Sequence, residues 1–464
     1  MNNLTQVIAA VSTPPGKGGV AIIRMSGDGA FEIADKVFFP ISGRKFSECK
    51  PRMQIYGHII DSGETVDDVL ATRFPAPHSY TGEDTVEIGC HGGVLVTALV
   101  LEAILKAGAL PATAGEFTRR AFINGRLSLT EAEAISDLLE ARSREQIRLS
   151  SDSSRAALSK RISEIRAELV SLMSSIYARI DYPDEDLGDF DDGELLTRLY
   201  NIRKNISTLL STYKTGKAIS EGVKTVICGK TNVGKSSFYN MLLGEDAAIV
   251  TDIEGTTRDV LEKTVPLGRV MLRLADTAGI REGENIDVVE RIGIEKSREM
   301  IEKSELLFAI FDISRPFDEK DSLLLNIISE SNVPKIAILN KSDKEAKLDE
   351  SRLSGKFEYI IPMSMLGDGG ENFEALCEIV DSLFTDEKIV VGEDAVLFSA
   401  RQRAALSRGL EFVELAIGGL EAGFAQDAVS SDIELALGAV SELDGRAVSE
   451  EIVSDIFSKF CVGK

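Results

Sequence analysis

The sequence predicts a multidomain chain of mixed α+β and α/β class, and three observations lead there. Residues 223–228 are apolar and β-branched, residues 238–243 are helix formers, and a glycine-bounded turn joins them. Strands and helices then alternate to about residue 384, the pattern of a mostly parallel sheet with helices on its faces. On both sides, over residues 121–217 and 385–464, a helical period replaces the alternation. An α/β domain at 218–384, inserted into one helical domain, accounts for both. Residues 1–120 differ again, with short strands and one apolar helix in the order of a compact α+β unit.

Composition bounds the reading. A chain of 464 residues exceeds one core, so two to four domains are expected. Apolar residues make up 44%, and no run of eighteen occurs, which argues for a soluble protein without a membrane span. No charged-then-apolar leader precedes Val7, so no export signal is expected. Five cysteines (49, 90, 228, 377, 461) are scattered and odd in number, which suits a reducing cytoplasm. Neither they nor the three histidines (58, 78, 91) have metal-site spacing. A net charge of −23 argues against indiscriminate nucleic-acid binding, which needs a basic surface.

Within residues 1–120, strands are expected at 7–10, 20–25, 55–60, 69–74 and 85–90, with a helix at 94–106 closed by Gly108. The loop Gly16-Lys-Gly-Gly19 is a plain turn, since it lacks the second Gly-Lys-Ser of a phosphate loop. Thr130-Glu-Ala-Glu133 reads as a capping box, followed by a helical period through Ile135, Leu138 and Leu139 and a further helix from 147 toward 180. Between Arg119 and Arg166, ten Lys/Arg face seven Asp/Glu, which fits a solvated helix face or an RNA-facing arm. The acidic run at 181–192 lacks calcium-loop spacing and reads as a solvated connection. Residues 195–217 are helical. From Asp386 to Lys464, again helical, fifteen acids face seven bases.

The chemistry centres on Gly229-Lys-Thr-Asn-Val-Gly-Lys-Ser-Ser237. A strand-to-helix turn with glycines at 229 and 234 lets backbone N–H groups curl around a phosphate, and the helix dipole favours the anion. Lys235 is placed to reach the terminal phosphates, and the Ser236 hydroxyl to hold magnesium. Asn232, Val233, Gly234 and Ser237 complete the cradle. Asp276-Thr277-Ala278-Gly279 follows an alternating strand, the place for a carboxylate in the magnesium shell and an N–H on the γ-phosphate. Asn340-Lys341-Ser342-Asp343 follows the apolar strand 336–339. The Asp343 carboxylate can accept the paired donors of a guanine edge, which adenine lacks. Ser364 follows a short strand at 359–361 and offers a backbone N–H to the guanine oxygen. The order and spacing are those of a guanine-nucleotide-binding domain, so GTP is the expected ligand. Ras-like enzymes place a water-orienting Gln just after the second motif, where this chain has Ile280.

The whole chain resembles the MnmE (TrmE) family of tRNA-modification GTPases. The resemblance rests on Ala76-Pro-His-Ser-Tyr-Thr-Gly-Glu-Asp84, Gly115-Glu-Phe-Thr-Arg-Arg-Ala-Phe122, Asn124-Gly-Arg126, Ile180-Asp-Tyr-Pro-Asp-Glu185, Thr251-Asp-Ile-Glu-Gly-Thr-Thr-Arg-Asp259 and the terminal Cys461-Val-Gly-Lys464. It implies a tetrahydrofolate-binding and dimerising domain over 1–120, a helical domain over 121–217 and 385–464, and an inserted Ras-like G domain over 218–384. It implies a homodimer that works with the flavoprotein MnmG, the carrier of FAD, in a heterotetramer-type complex on tRNA. There a one-carbon unit of 5-formyl- or 5,10-methylene-tetrahydrofolate and an amino-group donor build an aminomethyl or carboxymethylaminomethyl group on carbon 5 of the wobble uridine.

Residue by residue, the resemblance assigns folate contacts to Arg24, Glu87, Arg126 and Lys464, with Arg126 standing where the family often has Lys. It adds Thr251, Asp252, Ile253, Glu254, Gly255, Thr256 and Thr257 to the nucleotide site. Magnesium falls to Ser236 and Thr257, and potassium, in place of an arginine finger, to Asn232, Thr251, Ile253 and Thr256. Glu290 in Val289-Glu-Arg-Ile292 is the implied general base, and with the phosphate-binding Lys235 it makes up the catalytic residues.

Two other functions share features of this sequence. A ribosome-assembly or RNA-binding switch of the Era or Der kind has the same nucleotide motifs but usually appends a basic RNA module, and none is evident. A membrane-remodelling GTPase calls for an amphipathic basic helix, and none stands out.

Overall fold

A computed structural model describes residues 6–181, 192–244, 263–274, 300–365, 372–446, 449–458 and 460–463. The chain forms two compact units, Met1–Ser136 with Ser441–Lys464, and Asp137–Val440. Both are mixed in class, with α+β and α/β sheets and a set of long helices.

In the first unit, seven strands form one sheet in the order β3-β4-β5-β6-β2-β1-β7. They are β1 (Ile8–Val11), β2 (Val20–Ser26), β3 (Phe38–Pro40), β4 (Ile55–Asp61), β5 (Glu64–Phe74), β6 (Thr85–His91) and β7 (Leu110–Pro111). All neighbours pair antiparallel except β1 and β7. Alternation along β2 sends Ala21, Ile23 and Met25 into the core and Arg24 to the other face. Helices Ala30–Val37 and Val94–Lys106 cover the apolar face, where Phe31, Ile33, Val100 and Ile104 pack on Ile23, Ile59 and Ile88. The five expected strands and the helix at 94–106 are present. The sequence reading did not anticipate β3 or β7, which at three and two residues are too short to show a period.

Helix Leu129–Glu140 begins earlier than expected. Its capping box is Ser128 with Glu131: the Glu131 carboxylate accepts the Ser128 N–H at 2.7 Å and Ser128 Oγ accepts the Glu131 N–H at 3.2 Å. The same four-residue spacing occurs twice, and Thr130 is taken because it is buried and donates its hydroxyl to the Leu443 carbonyl at 2.9 Å. The chain end returns to this unit. Phe457 and Phe460 of the terminal segment join Leu129 and Ala132 in a small core.

The second unit carries the other sheet, in the order β13-β12-β11-β8-β10-β9. The strands are β8 (Val223–Gly229), β9 (Lys263–Leu267), β10 (Val270–Leu274), β11 (Leu306–Asp312), β12 (Lys335–Asn340) and β13 (Tyr359–Met363). Only the edge strand β9 runs antiparallel to its neighbour. Both faces are covered, so β11 reads LLFAIFD without alternation and every residue in it is buried. Phe238, Leu242, Leu376 and Val380 pack on one face, and Leu325, Ile328 and Leu353 on the other.

The helical part shows its logic in the spacing of buried residues. Helix Asp152–Asp181 buries Leu158, Ile162, Ile165, Leu169, Leu172 and Ile176, and helix Asp192–Ser211 buries Leu195, Leu199, Ile202, Ile206 and Leu209. These steps of three and four residues keep one stripe facing a neighbour. The helix expected over 195–217 is broken at Thr212, and a second one runs Tyr213–Ser220. Thr212 Oγ1 donates to the Leu209 carbonyl at 2.7 Å and accepts the Leu397 N–H at 3.0 Å, which fixes the break.

Candidate functional site

The cleft of interest lies where β8 ends. Strand β8 has β10 on one side and β11 on the other, so the chain leaves it at a switch point of the sheet, where ligands enter α/β folds. The turn runs from Gly229 into helix Lys235–Leu243, whose N-cap Gly234 has φ 106°. A Cβ at Gly234 would stand 2.1 Å from Asn340 Nδ2, so this close approach requires glycine as well as the left-handed backbone. Asn232 also holds a left-handed φ of 62°, a conformation asparagine tolerates.

Two loops from distant parts of the sequence meet here. Asn340 Nδ2 donates to the Val233 carbonyl at 2.6 Å and Lys341 Nζ to the Asn232 carbonyl at 3.4 Å. Lys341 is held in turn by buried Asp312 at 2.5 Å. Burial works against the Asp312 charge, but hydrogen bonds from Lys341 and Ser314 outweigh it and hold the carboxyl below its ordinary pKa. The Ser364 hydroxyl donates to Asp343 Oδ1 at 2.7 Å. The cleft, of about 430 Å³, is lined by Asn232, Gly234, Lys235, Ser236, Ser237, Asn340, Lys341, Asp343 and Ser364, among others.

Lys235 Nζ donates to the carbonyls of Gly229 at 2.9 Å and Lys230 at 2.6 Å. Burial pushes its ammonium below the ordinary lysine pKa. An added negative charge would reverse that penalty, which is what a phosphate supplies. Burial pushes the neighbouring Cys228 thiol up to about 12, so it stays protonated.

The structure thus brings Asn232, Gly234, Lys235, Ser236, Ser237, Asn340, Lys341, Asp343 and Ser364 around one cleft, with Val233 buried behind it and the Ser342 N–H on the Met363 carbonyl. Thr251, Asp252, Ile253, Glu254, Gly255, Thr256, Thr257, Asp276, Thr277, Ala278, Gly279, Ile280 and Glu290 lie outside the described residues. So does Lys464.

A second cluster sits in the first unit. Register pairs Arg24 of β2 with Glu87 of β6, and Arg24 Nε and Nη2 both donate to Glu87 Oε1, at 3.0 and 2.8 Å. The Arg24 guanidinium also lies 5.4 Å from the Tyr80 ring centre and 5.7 Å from that of Phe117. A Cβ on Gly82 would stand 3.2 Å from Arg126 Cγ, so this loop packs closely against Arg126. Beneath it Arg120, 1% exposed, donates to Glu83 and Glu116, at 3.1 Å each, and to the Gln6 carbonyl at 3.0 Å. The tail reaches the same unit: Val462 bridges Ala114, and Ser12 Oγ donates to the Gly463 carbonyl at 3.0 Å.

Sequence reasoning gave no role to Tyr80, Phe117, Arg120, Lys230 or Asp312. The first three stand inside the quoted motifs and Lys230 inside the phosphate loop, so a signal existed for them. Asp312 shows only as the polar end of an apolar strand. Among the described residues, no group of His, Cys, Asp and Glu is suited to a metal ion, and no helix is long and apolar enough to cross a membrane.

Comparison with known proteins gives two family matches: the MnmE helical domain over residues 129–461, and the GTP-binding protein TrmE N-terminus over residues 7–126. A curated relative named tRNA modification GTPase MnmE, from Thermotoga sp. (strain RQ2), is 40% identical over 463 residues, spanning 98% of this chain and 99% of its own. A protein of the same name from Clostridioides difficile (strain 630) is 37% identical over 463 residues, spanning 99% and 100%. Among solved structures, Era in complex with MgGDPNP and a 16S ribosomal RNA segment is 25% identical over 41% of this chain and 66% of that one. Its TM-score is 0.28.

Proposed function

The chain belongs to the MnmE family of tRNA modification GTPases, and from that premise we propose how its residues perform the work. The protein hydrolyses GTP, and the observation that carries this reading is the cleft in which Lys235, Asn340 and Asp343 converge. Asp343 takes the guanine edge, its carboxylate steadied by Ser364. Asn340 and Lys341 tie the base-binding loop to the phosphate loop, so base and phosphates are gripped as one rigid pair. Gly234 keeps the cradle open, and Lys235, with two N–H groups on loop carbonyls, has a third for a phosphate oxygen.

Ser236 and Asn232 line the cleft, and oxygen donors at these positions suit hard cations. Ser236 and Thr257 would hold magnesium, and Asn232, Thr251, Ile253 and Thr256 potassium; bound there, the two ions would offset the negative charge that spreads over the phosphates. Glu290 orients the attacking water, since Ile280 cannot. Asp276, Thr277, Ala278 and Gly279, with Asp252, Glu254 and Gly255, complete the nucleotide contacts.

In the other cluster, Arg24, Glu87, Arg126 and Lys464 contact a tetrahydrofolate, with Glu87, steadied by Arg24, accepting from the donor edge of its pterin. A stacked arginine, its carboxylate partner and two flanking rings form a donor set of that kind. The one-carbon unit of 5-formyl- or 5,10-methylene-tetrahydrofolate, together with an amino-group donor that brings the nitrogen, then builds an aminomethyl or carboxymethylaminomethyl group on the wobble uridine. The protein works in the cytoplasm, away from membranes, as a homodimer, with FAD-carrying MnmG in a heterotetramer-type complex on tRNA. The domains are 1–120 for folate and dimerisation, 121–217 with 385–464 as the helical domain, and 218–384 as the G domain.

Steady-state GTP hydrolysis in matched potassium and sodium buffers tests the mechanism. Potassium raises turnover by orders of magnitude, and Glu290→Ala lowers it while leaving GTP affinity in place. Equal rates in both salts would remove the cation's role, and normal turnover in Glu290→Ala would remove that residue.

A further inference from the structure

Lys230 is the second residue of the phosphate loop, and its side chain turns away from the cleft toward helix Glu319–Ser329. Its Nζ lies 2.7 Å from Asp318 Oδ2 and 2.6 Å from Asp321 Oδ2. Asp318 is the N-cap of that helix, and Asp321 closes the capping box by accepting the Asp318 N–H at 3.0 Å. Asp321 is only 2% exposed, and the helix is seated in the core by Leu325 and Ile328. The ammonium is therefore anchored to a part of the fold that does not yield. Burial works against the Lys230 charge, but the hydrogen bonds it donates to the two carboxylates outweigh it and raise its pKa above the ordinary lysine value.

The backbone of the same residue faces the other way. The Lys230 carbonyl accepts Lys235 Nζ at 2.6 Å, beside the Gly229 carbonyl at 2.9 Å. Two of the three ammonium N–H groups thus lie on loop carbonyls, and the direction of the third depends on where those carbonyls stand. We infer that Lys230 is a positioning residue: clamped by Asp318 and Asp321, it fixes the carbonyl on which the Lys235 ammonium rests and so aims Lys235 at the β-phosphate. This rests on the reading of Lys235 as the phosphate ligand.

The aim at one phosphate separates this role from a general structural one. Disturbing the clamp weakens ligands that carry a β-phosphate and spares guanosine monophosphate, which keeps the base contacts of Asp343 and lacks the group Lys235 meets. The test measures affinities of the full-length protein for GDP, GTP and guanosine monophosphate, the last by competition against a fluorescent guanine nucleotide. Lys230→Met lowers GDP and GTP affinity by about tenfold, the scale of one charge-assisted hydrogen bond, and leaves guanosine monophosphate unchanged. Lys230→Arg, which can still reach both carboxylates, restores most of the loss. Lys230→Met strands a buried carboxylate and can fail to fold. Asp318→Ser keeps an N-cap and removes only the more exposed half of the clamp, and it shows a smaller loss in the same direction. Unchanged GDP affinity in folded Lys230→Met overturns the inference. So does an unchanged ratio of GDP to guanosine monophosphate affinity in Asp318→Ser, or equal loss for both ligands in either variant. A wild type that binds neither GDP nor GTP overturns instead the nucleotide-site reading beneath it.

Discussion

At the scale of single residues, the proposed guanine specificity rests on Asp343. Ser364 donates to Oδ1 at 2.7 Å and leaves the remaining lone pairs of the carboxylate for two donors on one base edge. Guanine presents such a pair and adenine does not, so GTP is preferred over ATP by about a hundredfold, the scale of two charge-assisted hydrogen bonds. Asp343→Asn moves the preference toward xanthosine triphosphate, whose edge has an acceptor in place of the amino group. Competition binding with the three triphosphates checks both statements, and equal affinity of the wild type for ATP and GTP would sink the assignment. Residues of this kind were legible because their chemistry lies in a local string. Lys230 stands inside that string, but its role was not legible, since its partners Asp318 and Asp321 lie 88 and 91 residues away and only the sheet order brings them together. The Lys341–Asp312 pair was hidden for the same reason.

At the scale of elements, the strand–turn–helix unit after β8 depends on backbone geometry at Gly234. Alanine there meets both a left-handed φ of 106° and Asn340 Nδ2 at 2.1 Å. Gly355 has a φ of 73° but nothing within 4 Å of an added Cβ. Gly355→Ala therefore carries only the backbone cost of about 1–2 kcal/mol and leaves GDP affinity intact. Gly234→Ala carries that cost and also displaces Asn340, so GDP affinity collapses. Denaturant unfolding and GDP titration of the two variants separate the effects; a Gly234→Ala protein that binds GDP as the wild type does contradicts the close approach. Element type was legible wherever the period was long, as in the stripes from Leu158 to Ile176 and from Leu195 to Leu209. Boundaries were less so. Two overlapping capping boxes cannot be ranked without knowing that Leu443 claims Thr130, nor a break at Thr212 seen without Leu397. Strands β3 and β7 exist through pairing with β4 and β1, which no local propensity reports.

At the scale of the whole molecule, the two ends of the chain share one compact unit. The tail fits closely: Val462 bridges Ala114, and a Cβ on Gly463 would lie 2.2 Å from the Val11 carbonyl oxygen. Such a fit places Gly463 against Val11 of β1, beside the strand that carries Arg24. Deleting residues 462–464 therefore weakens tetrahydrofolate binding while leaving GTP hydrolysis nearly intact, as calorimetry and a phosphate-release assay can establish. Unchanged folate affinity would show that the tail has no part in that site. The terminal motif was legible as a string, but its docking site was not, because a contact across 451 residues has no local signature. On the proposed function, guanine-nucleotide chemistry in one unit serves tRNA modification. Mass spectrometry of wobble uridines from a strain lacking this gene, complemented with wild type or with Asp343→Asn, tests that most directly. The account predicts loss of the carbon 5 substituent in the deletion strain, full return with the wild type and little return with Asp343→Asn. Wobble uridines that stay fully modified in the deletion strain, or are fully restored by Asp343→Asn, would contradict it.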